Sequence, residues 1–442
     1  MRTACDDELA RVAWSRLAEP ADGYAYWLIN LLGAPQALSW LYTTAAASAP
    51  VRQQRIVDLL TADLADKANL NSADAARPDL VDGAGHVNPA SADPADGGLF
   101  PAPRSGPSGR LVIGLNGAVE AWARRLPVDP ERDLRTIQRL DGTVITSSHP
   151  VWPQGLTDLG PTAPLCLWLR GDYQGFADRV NGVGPGGLIE PAVALVGARA
   201  ATAYGTHLAA DLAAGLTERG FTIASGGAFG IDIAAHRATL AAGGRTVVFL
   251  AGGLDQPYPL ANAEILHQIL DSGGLWLGES PPGTKPARHR FLQRNRLIAA
   301  TARAVVVVEA AWRSGALNTA THAAQLLRPV GAVPGPVTSA ASAGCHRLLR
   351  EGVAVCVTDA EEVAELAGPL VAGKDTSAPT GDRAPDLDPT GLRVWDALGD
   401  RKRRTAEQVA QDAGLAIGPT LAVLGRFEAR GIASVINGAW LR

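Results

Sequence analysis

The chain has 442 residues, of which 47% are hydrophobic and 19% are charged, and its formal net charge is −4. A chain of this length and composition can form two or three domains, each with a buried core. Because the chain as a whole is slightly acidic, a uniformly basic surface is excluded, and any nucleic-acid site has to be a local patch.

The N-terminal third is predicted to be helical. Apolar residues recur at helical spacing in residues 6–75, and the pattern resumes in 119–126 and 131–140. Between these stretches, residues 82–109 are dominated by Gly, Pro, Ala, Ser and Asp, a composition that predicts a flexible insert. Residues 1–140 are therefore expected to form a helical domain that carries this insert.

From Gly142 onward, short apolar strands alternate with longer helices. Continuous apolar strands joined by helices are typical of a parallel sheet covered on both faces. Residues 141–373 are therefore predicted to form an α/β core, a Rossmann-like doubly wound parallel sheet. The strands of this alternation are Ala192–Val196, Thr222–Ser225, Thr246–Leu250, Leu275–Gly278, Ala304–Val308 and Pro329–Val333. Two short strand candidates, Thr143–Thr146 and Leu165–Leu169, precede them. The predicted helices are Gly205–Arg219, Ile231–Ala242, Asn262–Ser272, Arg294–Ala300 and Thr319–Leu327.

The C-terminal region is predicted to be a separate unit. Residues 374–388 are polar and contain prolines, so they are expected to form a linker. In 389–442 three short amphipathic helices precede an Asn437-Gly438 turn, which is a strong hairpin signal. Three helices and a hairpin together predict a winged helix. The three helices are Thr390–Leu398, Thr405–Ala413 and Ile417–Arg430.

The loops that follow the predicted parallel strands carry the functional signal, because ligands bind beyond the carboxyl ends of such strands. After the first of these strands, Gly197 allows close backbone approach and Arg199 offers a phosphate fork at a helix entrance. The next strand leads into Ser225–Asp232, with glycines at 226, 227 and 230. This loop differs from the dinucleotide fingerprint by its first residue, so an NAD-dependent oxidoreductase is a competing prediction.

The following strand argues against that competitor, because it ends in Gly252-Gly253 instead of the acidic residue that the fingerprint requires. After these glycines, Tyr258 either stacks on a base or packs as a loop aromatic, and Asn262 follows. In the preceding helix, His236 is either a general base or a packed histidine. Asp232 is most simply explained as a helix cap.

The strongest local signal is a basic run. Six cations and no carboxylate lie in residues 285–303, including Arg294 and Arg296 on either side of Asn295. The next strand is followed by Ser314-Gly315. Guanidinium groups and free backbone N–H groups both bind phosphate oxygens. Together, the four glycine-bearing strand ends predict a phosphate-rich ligand, but they do not distinguish a nucleotide from a polynucleotide.

These motifs resemble those of the DNA-processing protein A family, abbreviated DprA and also called Smf. The resemblance covers residues 142–358 and depends on the order and spacing of the motifs. The matching motifs are Val196-Gly197-Ala198-Arg199, Tyr204-Gly205, Ser225–Asp232, Ala235-His236, Gly252–Asp255, Tyr258-Pro259 with Asn262, Gly278-Glu279, Phe291, Arg294-Asn295-Arg296, Val308-Glu309-Ala310, Ser314-Gly315 and Pro334-Gly335.

The resemblance implies a Rossmann-like core that binds single-stranded DNA, forms a homodimer, and helps to load the RecA recombinase in natural transformation. It also implies an N-terminal helical domain of the sterile-alpha-motif-like type and a C-terminal winged helix. Two positions depart from the family pattern. Ala198 replaces the usual serine before Arg199, and Leu260-Ala261 stand where a lysine commonly follows the Tyr-Pro pair.

We therefore predict a non-catalytic single-stranded DNA-binding protein. The alternative is a nucleoside-monophosphate phosphoribohydrolase, which would carry a Pro-Gly-Gly-x-Gly-Thr loop and a following Glu. Residues 314–319 lack the paired glycines and the acid. The residues assigned to nucleic-acid contact are Gly197, Arg199, Ser225, Gly226, Gly227, Gly230, Asp232, His236, Gly252, Gly253, Tyr258, Asn262, Arg294, Asn295, Arg296, Ser314 and Gly315.

Neither a metal nor a cofactor is predicted. The four cysteines, Cys5, Cys166, Cys345 and Cys356, are scattered and form no C-x-x-C pair. The N-terminus lacks an apolar signal core, and no apolar run approaches the ~20 residues that span a bilayer. The sequence therefore predicts a reduced, cytoplasmic protein without membrane contact.

Overall fold

The computed structural model describes residues 6–74, 109–178, 187–368, 387, 389–398, 404–429, 433–436 and 439–441. The chain divides into two compact units, Met1–Val371 and Ala372–Arg442. Apart from Gly109 and Leu387, the predicted insert at 82–109 and the predicted linker at 374–388 lie outside the described residues, as does the turn at 437–438. No helix within the described ranges is long and apolar enough to cross a bilayer.

The first unit contains a nine-stranded sheet with the order β1-β2-β6-β5-β4-β3-β7-β8-β9. The pairs among β3 to β9 are parallel. The strands are β1 Gly142–Ile145, β2 Leu167–Arg170, β3 Ala192–Val196, β4 Thr222–Gly226, β5 Thr246–Phe249, β6 Leu275–Gly278, β7 Ala304–Val307, β8 Val330–Ala332 and β9 Val355–Cys356.

The six strands that were predicted to alternate with helices pair in parallel, and the two short strand candidates before them add an antiparallel edge. β1 pairs antiparallel with β2, and β2 pairs antiparallel with β6. An apolar run indicates that a strand is buried but does not give its direction, so this reversal could not be inferred from the strand pattern.

Both faces of the sheet are covered, as the uninterrupted apolar strands predict. Successive side chains of a strand point to opposite faces. In β3, Ala194 and Val196 join one buried cluster, whereas Val193 and Leu195 join another. Burial of a Val or Leu side chain contributes roughly 1.5–3 kcal/mol, so these strands form the centre of the core.

The first unit also contains α-helices, several of which pack on the sheet. Their bounds are α1 Asp6–Leu17, α2 Gly23–Leu32, α3 Ala34–Ala45, α4 Ala49–Asp74, α5 Gly109–Ala123, α6 Pro130–Gln138, α7 Tyr173–Asp178, α8 Ala203–Glu218, α9 Ile231–Ala241, α10 Ala263–Asp271, α11 Arg288–Thr301, α12 Ala316–Gln325, α13 Ala343–Arg350 and α14 Ala360–Ala367. Short 3-10 segments lie at Gln154–Thr162, Leu260–Asn262 and Ala340–Ser342.

The N-terminal helices α1 to α5 share a core of their own, and α1 and α6 connect it to the sheet within the same compact unit. Their own core includes an edge-to-face contact of Trp14 with Trp122, whose ring centroids lie 5.0 Å apart. Val12 of α1 belongs to a cluster that also contains Trp168 and Trp276 of the sheet. α5 begins at Gly109, ten residues earlier than the helical pattern near Val119 predicts.

The second unit contains α15 Pro389–Leu398, α16 Ala406–Ala413 and α17 Ile417–Ala429, and a two-stranded antiparallel sheet of β10 Ser434–Ile436 and β11 Ala439–Leu441. A capping box of Thr405 and Gln408 starts α16. Val394, Leu424 and Phe427 belong to a separate buried cluster. This unit therefore has its own small core.

Candidate nucleic-acid interface

Parallel pairing brings the loops that follow β3, β4, β5 and β7 to one edge of the sheet, the edge formed by the carboxyl ends of these strands. The basic run forms α11, which reaches the same edge. Its Arg294 guanidinium donates a hydrogen bond to the carbonyl of Phe249, the last residue of β5. The predicted strand-end loops are therefore neighbours in the fold, although they are spread over more than 100 residues of sequence.

One arginine and two aromatic residues pack together here and form a surface that we name the edge patch: Arg199, Tyr258 and Phe291. The Arg199 guanidinium lies 5.1 Å from the centroid of the Phe291 ring. The Phe291 and Tyr258 centroids are 5.7 Å apart. Tyr258 is 48% exposed, and Phe229, in the loop after β4, is 46% exposed. The patch thus presents aromatic surfaces beside a solvent-exposed cation.

Phe229 and Phe291 are not among the predicted contact residues. Phe291 lies within the basic run, and Phe229 interrupts the glycine-rich loop after β4. An aromatic residue among cations or glycines at a strand end is the sequence signal that indicates them.

Most of the glycines that were predicted to contact nucleic acid lie where two loops of the chain pack closely, with no room for a side chain. Gly230 has φ of +78°, and a Cβ there would collide with the carbonyl of Ala198. At Gly226 a Cβ would lie 2.6 Å from the Arg294 guanidinium. Three further glycines are equally crowded. A Cβ would be 2.5 Å from Ile231 at Gly197, 2.9 Å from the Thr284 carbonyl at Gly252 and 2.7 Å from the Pro281 carbonyl at Gly253. Gly227 is less crowded, with 3.2 Å to Leu250.

Arg294 and Asp232 lie beneath the patch, each less than one-tenth exposed. Burial raises the pKa of Asp232 to about 6, although Arg294 and Arg199 oppose that change. Burial likewise lowers the pKa of Arg294 to about 10, so its guanidinium stays charged at neutral pH. Arg294 lines a recess together with Gly227, Gly252, Tyr258 and other loop residues. The recess has a volume of about 10 Å³, enough for about one water molecule.

Arg296, in contrast, is 1% exposed and points into the protein. Its two terminal nitrogens each lie 2.6 Å from a carboxylate oxygen of Glu279. The same guanidinium donates to the carbonyls of Thr162 at 2.9 Å and Gln293 at 3.0 Å. The structure therefore places Arg296 in a buried ion pair and not on the edge.

Three other predicted contact residues are buried and hold the loop after β4. Ser225 Oγ donates to the Leu195 carbonyl at 2.6 Å. Asn262 Nδ2 donates to the Gly227 carbonyl at 2.9 Å. His236 Nε2 lies 3.0 Å from the carbonyl of Gly226, while Nδ1 lies 2.6 Å from the Thr246 hydroxyl. Burial lowers the pKa of His236 to about 4, so the ring is neutral at pH 7.

The remaining predicted residues connect α11 to the start of α12. Asn295 Nδ2 donates to the Gly315 carbonyl at 3.3 Å and lies 3.2 Å from Asn318 Oδ1. Ser314 Oγ accepts from the Ala316 N–H at 3.3 Å. Gly315 itself is exposed and has open space where a side chain would be.

The crevice between β3 and β7 is where the strand order reverses, the usual ligand position in such sheets. Here the buried carboxylate of Glu309 fills it. Glu309 Oε2 accepts from the Thr202 N–H at 2.9 Å and Oε1 accepts from the Thr202 hydroxyl at 2.6 Å. Thr202 caps α8, so a carboxylate of the protein occupies the anion position at this helix N-terminus.

Part of the basic run is used within the protein. Arg290 donates to Glu19 at 2.8 and 2.9 Å, and His289 lies 3.1 Å from the same carboxylate. These contacts, led by Arg290, lower the pKa of Glu19 to about 2. Lys285 and Arg288, near the start of α11, are exposed. Among the ion pairs of the described residues, none includes these two cations.

Comparisons with known proteins agree with the motifs. A family model described as DNA recombination-mediator protein A matches residues 143–368. The chain is 45% identical over 341 residues to a putative DNA processing protein DprA of Mycobacterium tuberculosis, and the match covers 75% of this chain and 85% of that protein. It is 31% identical over 340 residues to the protein Smf of Synechocystis, with 70% and 82% covered.

Among solved structures, the X-ray structure of DNA processing protein A from Streptococcus pneumoniae aligns with a TM-score of 0.48 and 33% identity, covering 57% of this chain and 84% of that one. The family resemblance seen in the motifs is thus confirmed by the family model and by the curated relatives. The chain belongs to the DNA recombination-mediator protein A family, which includes the DprA and Smf proteins.

Proposed function

We propose that this protein binds single-stranded DNA at the edge patch. The observation that carries the proposal is the packing of the exposed Arg199 guanidinium on Phe291, next to Tyr258. Unpaired bases stack on aromatic rings and on guanidinium planes whatever their sequence, because every base has a π-face. A duplex keeps its bases stacked inside, so a surface of this kind favours single strands.

The charges around the patch support the same proposal. Lys285 and Arg288 are exposed cations near the start of α11, the helix that carries Phe291. They are suited to contact the phosphates that follow a stacked base. Arg294 lies directly behind the loops and is buried, and its charge is offset by the Asp232 carboxylate, whose pKa of about 6 leaves it mostly ionised at neutral pH. Leu260-Ala261 contribute no charge where the family pattern has a lysine, so we place most of the phosphate contact on Arg199, Lys285 and Arg288.

One observation favours binding over nucleotide hydrolysis. Glu309 occupies the anion position at the start of α8, where a nucleotide phosphate would otherwise approach the helix. We therefore propose a protein that acts on DNA by binding and turns over no nucleotide.

Membership of a family described as recombination mediators supports a cellular role in recombination. We propose that the protein protects incoming single-stranded DNA in the cytoplasm and helps to load the RecA recombinase during transformation. We also propose that it forms a homodimer through the Rossmann-like core. The three helices and hairpin of the second unit support a winged helix, and the helices α1 to α3 support a sterile-alpha-motif-like domain.

A direct binding measurement tests this function. The fluorescence anisotropy of a labelled oligothymidylate is followed during titration with the full chain, and a duplex of equal length is the control. We expect tighter binding of the single strand, with an affinity that falls as salt rises, by a logarithmic slope of about −0.7 per phosphate contact. Failure to bind the single strand, or a preference for the duplex, would refute the proposal.

A further inference from the structure

A second aromatic and cationic surface lies at the same edge of the sheet, in the loop between β7 and α12. We name it the Trp312 patch, and it consists of Trp312, Arg313, Arg347 and Arg350. Trp312 is 51% exposed. The Arg347 and Arg350 guanidinium carbons of α13 lie 5.3 and 5.9 Å from the centroid of its indole ring.

The charge of this patch is predominantly positive. Arg347 lies 3.7 Å from a carboxylate oxygen of Glu351, which is the acidic partner of the patch. Arg313 and Arg350 are exposed and, among the described residues, enter no ion pair. Three cations thus face one carboxylate around a half-exposed indole. An indole of this size contributes little to the core when half of it remains in water.

The two patches belong to one continuous edge. The loop that carries Trp312 is held at its start, where the Ala198 N–H donates to the Glu309 carbonyl at 2.7 Å. It is held at its end, where Asn295 donates to the Gly315 carbonyl at 3.3 Å. Ala198 precedes Arg199, and Asn295 lies one turn after Phe291 on α11. The loop is therefore anchored on both sides to the segments that bear the edge patch.

We infer that the Trp312 patch is a second single-stranded DNA contact, reached by strands long enough to extend beyond the edge patch. This inference rests on the proposed function. A half-exposed indole next to two guanidinium groups offers a stacking surface for an unpaired base, and the arginines neutralise the adjoining phosphates. An acidic peptide would bind through the cations alone, so it would not account for the exposed indole ring.

The experiment compares a length series of oligothymidylates on the full chain. We expect Trp312→Ala to bind the longest strands about tenfold more weakly than wild type, since base stacking on an aromatic ring is a strong contact. The shortest strand that wild type binds should be held equally well by both proteins. Trp312→Phe should restore most of the lost affinity. The control is Leu327→Ala, at a residue that is 89% exposed and lies two positions beyond α12.

A second measurement follows the indole directly. The chain has 10 tryptophans, so quenching of tryptophan fluorescence by long strands is compared between wild type and Trp312→Phe, and the difference reports on Trp312. Arg350→Ala should lower the salt slope for long strands by about 0.7. Thermal unfolding of each variant shows whether it remains folded, which is expected because Trp312 lies in an exposed loop.

The possible failures are distinguishable. If wild type binds no single strand, the proposed function is refuted and the inference with it. If wild type binds and Arg199→Ala weakens binding while Trp312→Ala matches wild type at every length, the function stands and the inference is overturned, which leaves a protein partner as the occupant of the patch. Equal weakening by Trp312→Ala at every length would merge the two patches into one site and would also overturn it.

Discussion

The carboxylate of Glu309 and Thr202 are joined by two hydrogen bonds, one from the Thr202 N–H at 2.9 Å and one from its hydroxyl at 2.6 Å. Glu309 follows β7, and Thr202 caps α8, which follows β3. The bonds therefore connect the two strands on either side of the point where the strand order reverses. This contact fixes the loop that presents Arg199 and closes the position at which a nucleotide would bind.

We predict that Glu309→Ala lowers the free energy of unfolding by about 2–3 kcal/mol, because charge-assisted hydrogen bonds are lost and the Thr202 N–H remains unsatisfied. Glu309→Gln keeps a carbonyl acceptor and should lose less. Urea unfolding measures both variants, with the exposed Glu218→Ala at the end of α8 as the control. An unchanged stability of Glu309→Ala would show that the two bonds contribute nothing.

Acidification should destabilise the protein through His236. Its pKa is lowered from 6.5 to about 4 in the fold, so the unfolded chain binds a proton first as the pH falls from 6.5 to 4, and stability is lost over this window. Asp232 acts in the opposite direction, because its pKa is raised from 3.8 to about 6 and its protonation stabilises the fold as the pH falls. The net change in wild type is therefore the difference of two effects.

A variant separates these effects. His236→Gln lacks the titration of the ring but retains that of Asp232, so the difference in unfolding free energy between wild type and variant isolates His236. We expect the advantage of wild type to shrink by on the order of 3 kcal/mol between pH 7 and pH 4. A difference that stays constant with pH would mean that His236 is not protonated differently in the folded and unfolded chains.

The C-terminal unit should be dispensable for folding of the rest. The unit Ala372–Arg442 has its own buried cluster, which includes Leu398, Phe427 and Trp440. We predict that a fragment of residues 1–373 unfolds cooperatively and keeps most of the single-strand affinity, because both patches lie before residue 351. Circular dichroism and the anisotropy titration measure these two properties. An insoluble fragment would show that the last unit is needed for the core.

The central strands could be predicted because their chemistry is local. Ala192–Val196 and Leu275–Gly278 have the predicted bounds, since each is a buried apolar run with turn residues beyond it. Strand direction at the β1–β2 edge and the helix α14 were not predicted. α14 is rich in Ala and Glu, and its start depends on the Asp359 cap, which is a single-residue signal.

The nucleic-acid site stays a prediction, but the structure shows which of its residues lie together and which are exposed. The order of glycines and arginines predicted that the loops after the parallel strands lie at one edge of the sheet, and the structure brings these loops together there. This order did not indicate which cations face solvent, because Arg294, Arg296 and Arg199 are alike in sequence. Burial separates them: Arg296 meets Glu279 across 17 positions of the chain, and only the folded structure brings that carboxylate to it.

The central claim is that single-stranded DNA binds at the edge patch, and Arg199→Ala tests it most directly. Arg199 is exposed and enters no ion pair among the described residues, so its removal should leave the fold intact. Arg219→Ala is the matched control, because Arg219 is an exposed arginine at the opposite end of α8. Anisotropy titrations with an oligothymidylate at several salt concentrations compare the two variants with wild type. We predict that Arg199→Ala weakens binding and lowers the salt slope by about 0.7, while Arg219→Ala binds as wild type does. Equal affinities and slopes for both variants would contradict the account.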